Sequence, residues 1–272
     1  MSSKVSGSKI KHILIVEDNK VFARILAQTL VIMCIKYDVV TDGLEAIEIC
    51  KERSFDLILM DIMMPRMDGM DATRIIRGLS KHNSEVPIIA VTARLGHDSQ
   101  QEYTVAGMTD VIKKPISTKN LFDMLRKHLN VDEKTAHLAR LRHDAQRDST
   151  PDMEELNSVN WIMLKQYQQI LKSDFLPLLE EYLTAGVDVL SNIAEAISEA
   201  DASRVEFLAH KFKSTSLVFG AERVSNLSAK MEMLGRAKSL ETVDPIFTEL
   251  NSQFEQARSV LYDQVNLLRM AS

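Results

Sequence analysis

Cysteine is scarce in this chain, and long apolar runs are absent. Only Cys34 and Cys50 occur in 272 residues, in no pair motif, which excludes a disulfide framework and favours a reduced cytosolic chain. No run approaches the roughly 18 apolar residues of a membrane span, so we expect no membrane insertion. The opening segment MSSKVSGSKIKH lacks the apolar core of a signal peptide, and we therefore expect a cytoplasmic protein.

Positive charge is also in deficit. Lys and Arg number 33 against 38 Asp and Glu, which gives a formal net charge of −5 at pH 7. This balance disfavours general binding to nucleic acid, whose phosphates require a basic surface. The composition is otherwise that of a soluble globular protein, and the length suggests about two domains.

The first half of the chain alternates short apolar runs with amphipathic stretches. Continuous runs rich in β-branched residues are typical of strands buried on both faces of a sheet. They are ILIV (13–16), VV (39–40), LILM (57–60), IIAV (88–91) and VI (111–112). Helical patterns lie between them, as at 21–30, 44–53 and 72–80. The alternation predicts a doubly wound, five-strand parallel sheet.

The second half shows helical periodicity and no strand signal. The spacing predicts helices over 159–171, 175–197, a segment that carries His210, 221–234 and 243–268. Asp201 or Ser203 can cap the helix that carries His210. Together these patterns predict an up-and-down helical bundle.

A polar and charged segment separates the two halves. RDSTPD at 147–152 is its clearest break, and the residues before it leave room for a short helix. We therefore expect a first domain over 11–129, a linker over 130–157 and a second domain over 158–270.

Polar side chains follow the predicted strands one after another. Glu17 and Asp18 end the first strand, Asp61 the third, Thr92 the fourth and Lys114 the fifth. Ligands of open α/β sheets bind at this edge. Three converging carboxylates would repel one another unless a hard cation such as Mg²⁺ lay between them. With Lys114 they predict a site for phosphoryl transfer. A single acid after a strand is more often a loop residue or a helix cap, but the four strand ends together favour the site.

These residues carry a resemblance. Residues 12–129, with ILIVEDN, LILMDIMMPRMDGM, IIAVTA and KKP in order, resemble a receiver domain of two-component response regulators. The resemblance implies a flavodoxin-like fold of five parallel strands and five helices. It implies that Asp61 is the phospho-acceptor, that Thr92 hydrogen-bonds the phosphoryl group and that Lys114 pairs with it.

The same resemblance implies a ligand set for Mg²⁺. Asp18 and Asp61 would bind the ion directly, Glu17 through water, and Met63 through its backbone carbonyl. One position departs from the family pattern, because Val111 stands where receivers often carry the aromatic residue that reports phosphorylation.

The stretch LAHKFKSTSLVFGA (208–221) raises the question of what His210 does. Its apolar residues fall on one helix face, and His210 lies roughly 150° from the centre of that face. We therefore expect His210 to point at solvent, with Lys213 and Ser214 one turn further on.

Three interpretations of His210 compete. It is a surface residue, a metal ligand or a nucleophile. A metal site is disfavoured, since Glu206 is the only His, Cys or carboxylate residue three or four positions away. Neutral imidazole is a competent nucleophile, and Lys213 would attract a phosphoryl oxygen.

Residues 158–270 resemble a histidine-containing phosphotransfer (HPt) domain, most specifically at AHKFKSTSLVFGA. The resemblance implies that His210 is phosphorylated and that Lys213 is its supporting cation. The family often has Gly where this chain has Ser214.

The two resemblances together indicate an intermediate of a phosphorelay. A sensor histidine kinase would supply phosphate and a downstream response regulator would receive it, since the chain shows no kinase domain of its own. Two alternatives stay open, a phosphorylation-controlled interaction protein and a phosphate sink for a kinase. A metal phosphohydrolase is disfavoured, because Met63 stands where a second acid would be needed two residues after Asp61.

Overall fold

The computed structural model describes residues 10–93, 97–114, 116–129 and 158–270. The chain divides into two compact units between Asp148 and Ser149. The expected linker, 130–157, lies outside the described residues. Within the described part of the chain, no helix is both long enough and apolar enough to cross a bilayer.

The first unit is built on a five-stranded parallel sheet with the strand order β2-β1-β3-β4-β5. The strands are β1 (His12–Val16), β2 (Lys36–Val40), β3 (Leu57–Asp61), β4 (Ile88–Thr92) and β5 (Asp110–Lys113). Each apolar run of the sequence lies within one of them, so the predicted doubly wound sheet is confirmed.

Helices cover both faces of this sheet. They are α1 (Lys20–Ile32), α2 (Gly43–Glu52), α3 (Gly69–Leu79), α4 (Lys81–Glu85), α5 (His97–Val105) and α6 (Thr118–Leu129). Ile13 and Ile15 of β1 pack into a core with α1 and α6, whereas Leu14 and Val16 pack into a second core with α2 and α3. The family resemblance implied five helices. The short α4, whose N-terminus is capped by Ser80, is an addition.

Not every strand of the sheet is buried on both faces. The residues of β2 are exposed or half-buried, because β2 lies at the edge of the sheet. Lys36 and Asp38 can therefore occupy β2, and this explains why only its last two residues gave an apolar signal.

The second unit is helical. Its elements are α7 (Trp161–Leu171), a 3₁₀ turn (Lys172–Asp174), α8 (Phe175–Ser198), α9 (Ala202–Val218), α10 (Glu222–Arg236) and α11 (Val243–Met270). From α8 onward each helix packs on the next, and α11 packs back on α8. A cluster of aromatic rings fills the core: Phe175, Tyr182, Phe212, Phe219 and Phe254. The predicted helical domain is confirmed.

The helix that carries His210 ends as its sequence indicates. Phe219 is the C-cap of α9, and Gly220 follows with φ +74°, a conformation that favours glycine. A Cβ on Gly220 would lie 2.5 Å from the carbonyl oxygen of Asn160. Asn160 in turn donates its N–H to the Gly220 carbonyl at 2.7 Å and caps α7. The end of α9 is thus fixed to the beginning of α7.

Helices α9 and α10 approach each other closely at Gly235. A Cβ there would lie 2.6 Å from the backbone nitrogen of Glu206 and 2.7 Å from the carbonyl oxygen of Ala202. Glycine therefore permits backbone contact between the two helices at this point.

Candidate functional site

The parallel register brings the ends of four strands to one edge of the sheet. Val16 of β1 pairs with Met60 of β3, Asp61 pairs with Val91 of β4, and Thr92 pairs with Lys113 of β5. Residues that directly follow these pairs therefore meet at the carboxyl edge, where ligands of such sheets bind.

Three carboxylates converge there, and we call Glu17, Asp18 and Asp61 the acidic cluster. Each offers an oxygen, and these oxygens lie within 4.8 Å of one another. Glu17 and Asp61 are buried, and Asp18 is half-buried. The side chain of Asn19 caps α1 by accepting hydrogen bonds from two backbone N–H groups, so the helix begins directly beside the cluster.

Lys114 places one positive charge against the acidic cluster. Its Nζ lies 2.8 Å from Asp61 Oδ2 and 2.7 Å from Glu17 Oε2, and 4.7 Å from the centre of the Phe22 ring. Burial opposes the charge of the ammonium, but the two carboxylates raise the pKa of Lys114 above its ordinary value. Burial and the charge of Asp61 raise the pKa of Glu17 well above its ordinary value, and Lys114 counteracts this only in part.

The donor set fits a divalent cation. Three carboxylates face one ammonium, so the ionised cluster keeps an excess of negative charge in a buried place. Oxygen atoms at this mutual spacing can share one hard cation, and a dication would neutralise the excess. The sequence prediction that these three acids lie together is therefore matched by their positions.

Met63 and Thr92 flank Asp61. The Met63 N–H donates to Asp61 Oδ1 at 3.3 Å. Thr92 is buried, with its Oγ1 3.4 Å from the hydroxyl of Tyr103, a residue of α5 that sequence reasoning missed. Because α5 has almost no amphipathic pattern, nothing in the sequence singled out Tyr103. Gly69 completes the surroundings, since a Cβ there would lie 2.0 Å from the Asp61 carbonyl oxygen.

The expectation that His210 points at solvent is wrong. Only 4% of His210 is exposed. The helical wheel measured His210 against the apolar face of its own helix, but α9 packs on α8 with one side and on α10 with the other. The close approach at Gly235 brings α10 over the side that carries His210.

The partner of His210 is Glu232, in the second half of α10. His210 Nδ1 lies 3.1 Å from Glu232 Oε1, and Lys213 forms an ion pair with Glu232 Oε2. Arg236 donates to Glu232 Oε1 at 2.9 Å and to Glu206 Oε1 at 2.8 Å. We call His210, Lys213, Glu232 and Arg236 the His210 cluster.

The contacts of Glu232 determine its charge and the orientation of the imidazole. Burial alone would raise the pKa of its carboxyl, but the hydrogen bonds and charges of His210 and Lys213 lower it to about 2. An ionised carboxylate only accepts hydrogen bonds, so Nδ1 of His210 is the donor. Whenever the ring is neutral, Nε2 therefore carries the lone pair, and it makes no hydrogen bond to any residue in the described part of the chain.

The sequence around His210 does not point to Glu232. Side chains on one helix meet three or four residues apart, whereas Glu232 lies 22 residues from His210 on α10. Lys213, which we expected to face a phosphoryl group, is paired with Glu232 instead. The one readable signal was the spacing of Glu232 and Arg236, four residues apart on a predicted helix.

Comparison with known proteins agrees with both units. Residues 13–126 match the family model of the response regulator receiver domain, and residues 177–260 match that of the Hpt domain. The chain is therefore a receiver domain followed by an Hpt domain, the combination of two-component phosphorelay signalling.

Its relatives are longer proteins. The chain is 42% identical over 135 residues to the hybrid signal transduction histidine kinase B of Dictyostelium discoideum, covering 46% of this chain and 7% of that protein. It is 27% identical over 252 residues to the signal transduction histidine-protein kinase BarA of Escherichia coli, covering 89% of this chain and 26% of that protein. The chain thus spans about a quarter or less of these relatives.

Among solved structures, the chain is similar to the receiver domain of a Pseudomonas aeruginosa sensor histidine kinase that holds a magnesium ion in its active-site cleft. The identity is 33% and the TM-score 0.42, with 45% of this chain and 99% of that chain covered.

Proposed function

We propose that the chain is a phosphorelay intermediate that accepts phosphate on Asp61 and carries phosphate on His210. The observation that carries the proposal is the buried contact of Asp61 with Lys114 beside two further carboxylates. A carboxylate held in this way is positioned as a nucleophile whose product, an acyl phosphate, has a cation beside it.

The residues of the receiver divide the work of this transfer. An oxygen of Asp61 attacks the phosphorus of a donor phosphohistidine whose other ring nitrogen carries a proton. The P–N bond breaks, and the imidazole leaves with the electron pair as a neutral ring. Lys114 exchanges its contact with the carboxylate for one with a phosphoryl oxygen. The hydroxyl of Thr92 donates a hydrogen bond to another phosphoryl oxygen. Glu17, Asp18, Asp61 and the Met63 carbonyl would hold Mg²⁺, which supplies charge neutralisation when bound.

The His210 cluster supports the second half of the proposal. With Nδ1–H committed to Glu232, the lone pair of Nε2 attacks the acyl phosphate and the C–O–P linkage breaks at the P–O bond. The ring then carries positive charge, which the ionised Glu232 stabilises. Lys213 and Arg236 also pair with Glu232, so both cations stay close to the histidine that would carry the phosphoryl group.

We propose that the partners are a sensor histidine kinase, which donates phosphate, and a downstream response regulator, which accepts it. The names of the relatives support this proposal, since several are histidine kinases. The burial of His210 favours a second candidate, in which Asp61 alone is phosphorylated and the chain is a phosphate sink or a phosphorylation-controlled interaction protein.

Phosphorylation with acetyl phosphate and Mg²⁺ tests the first half. Intact mass spectrometry of the full chain should show one added phosphate, which is lost in Asp61→Asn and on chelation of Mg²⁺. The matched control is Asp56→Asn, at the opposite end of β3, which should keep the label. Labelling of Asp61→Asn at the wild-type level would place the chemistry elsewhere.

Phosphotransfer from labelled sensor kinases tests the second half. Phosphohistidine survives alkali and phosphoaspartate does not, so the two sites are read separately. We expect alkali-stable label on the wild-type chain and on the control His128→Gln, but not on His210→Gln. Labile label with no stable label would instead support the phosphate sink.

A further inference from the structure

Ser214 is a buried residue of α9 that lies one helical turn after His210. It is 5% exposed, and its Oγ has no hydrogen-bond partner among the described residues. Buried hydroxyl groups are nearly always hydrogen-bonded, because burial removes them from water. An exception next to His210 therefore needs an explanation.

Ser214 does not make the hydrogen bond that a hydroxyl inside a helix usually makes. Serine and threonine inside helices commonly donate to the carbonyl four residues earlier. Thr215, the next residue of α9, does so to Lys211 at 3.1 Å, and Ser228 of α10 does so to Val224 at 2.8 Å. The hydroxyl of Ser214 makes no such bond to His210, so its proton remains available for another acceptor.

The position of Ser214 directs this hydroxyl toward the imidazole. Residues four apart lie on the same helix face, and helical side chains lean toward the N-terminus, so Ser214 leans toward His210. Glu232 holds Nδ1 of that ring, and Lys213 is occupied by the other oxygen of Glu232. A neutral donor one turn away is therefore placed to serve a group that arrives on Nε2.

We propose that Ser214 donates a hydrogen bond to a phosphoryl oxygen when phosphate is on Nε2 of His210. The inference rests on the proposed function, and it assigns a phosphoryl-binding role to a position where the family often has Gly. No covalent bond of Ser214 changes. A hydroxyl that is unsatisfied in the free protein gains an anionic acceptor in the phosphorylated one, so the interaction favours the phosphorylated state.

The test compares the lifetime of phosphohistidine with the stability of the fold. The full chain carrying Asp61→Asn is treated with phosphoramidate, the donor is removed, and the decay of alkali-stable phosphate is followed, with His210→Gln as the blank. We expect Ser214→Ala to shorten the lifetime roughly three- to tenfold. Thr215→Ala, which removes a satisfied hydroxyl from the next position, should leave the lifetime unchanged.

A second measurement separates phosphoryl binding from a structural role. Trp161 is the single tryptophan and lies in the helical unit, so its fluorescence in urea reports the unfolding of that unit. Ser214→Ala removes an unsatisfied buried hydroxyl and should raise the unfolding midpoint while it shortens the phosphohistidine lifetime. An unchanged lifetime, or a shorter lifetime together with a lower midpoint, would overturn the role of Ser214. Absence of stable label on the parent chain would instead overturn the proposed carrier function itself, and the role of Ser214 with it.

Discussion

At the scale of single residues, Glu232 determines how His210 presents its ring. One carboxylate accepts from His210 and Arg236 and pairs with Lys213. Its replacement would leave the half-buried Lys213 and the buried imidazole of His210 without their common partner, and such losses are costly in a low-dielectric interior. We therefore expect the charge of Glu232 to contribute to the stability of the helical unit.

The pH dependence of stability should reveal that charge. The carboxyl of Glu232 has an ordinary pKa of 4.5, and its surroundings in the folded protein lower the pKa to about 2. The unfolded chain therefore binds this proton more readily, so the stabilisation is complete above about pH 4.5 and is lost as the pH falls toward 2. Glu232→Gln should be less stable than wild type at pH 7, and the difference should narrow between pH 4.5 and 2.

Urea midpoints followed by Trp161 fluorescence measure this difference across the pH range. Glu249→Gln, which alters an exposed acid on α11, is the matched control and should change the midpoint little at any pH. A constant gap between wild type and Glu232→Gln from pH 7 to pH 2 would contradict the assigned charge.

At the scale of elements, the packing of α9 on α10 depends on a missing side chain. The Cβ of Gly235→Ala would meet the backbone of Glu206 and Ala202, which cannot rotate away. The helices must then separate, and we expect a loss of about 1–3 kcal/mol in the stability of the helical unit. Tryptophan fluorescence in urea measures it, and an unchanged midpoint would show that α10 can shift freely.

A glycine-to-alanine substitution in α3 should instead increase stability. A Cβ on Gly78 would meet no atom within 4 Å, so Gly78→Ala only reduces the entropy of the unfolded chain and improves helix propensity. We expect a gain of roughly 0.5–1 kcal/mol in the receiver unit, read by circular dichroism in urea. Destabilisation at Gly78 would mean that the cost at Gly235 comes from glycine's backbone and not from contact.

The elements that the sequence predicted best are those buried on both sides. The run ILIV gave β1 because each of its residues is in a core, whereas β2 showed only two apolar residues because it is an edge strand. The acidic cluster was also predictable, since parallel strands end at a common edge. The burial of His210 was not, because it depends on Gly235 of another helix, and periodicity within α9 carries no information about that contact.

At the scale of the whole molecule, the two sites lie in separate units of one chain. The 28 residues 130–157 reach at most about 95 Å when fully extended. When the two sites can come into contact, the effective concentration of one site at the other is therefore on the order of 0.1 mM or more. We predict that phosphate can pass between Asp61 and His210 within one molecule.

Dilution distinguishes this exchange from transfer between molecules. The chain is labelled at Asp61 with acetyl phosphate, the donor is removed, and alkali-stable label is followed at several protein concentrations. A rate that is independent of concentration is expected, and His210→Gln gives the background. A rate proportional to concentration would mean that the units serve other molecules, and no stable label would mean that they do not exchange at all.

The backbone hydrogen bond between Asn160 and Gly220 limits how far the helical unit can be shortened. The matched Hpt region begins at residue 177, after the end of α7. Nevertheless α7 buries Leu164, Tyr167 and Leu171. Its N-cap residue is also hydrogen-bonded to the turn that follows the helix carrying His210. A fragment trimmed to the matched residues would leave the Gly220 turn without its neighbour and part of the bundle uncovered. The smallest autonomous piece of the second half should therefore begin before Asn160, about one and a half dozen residues ahead of the border that family similarity alone would suggest.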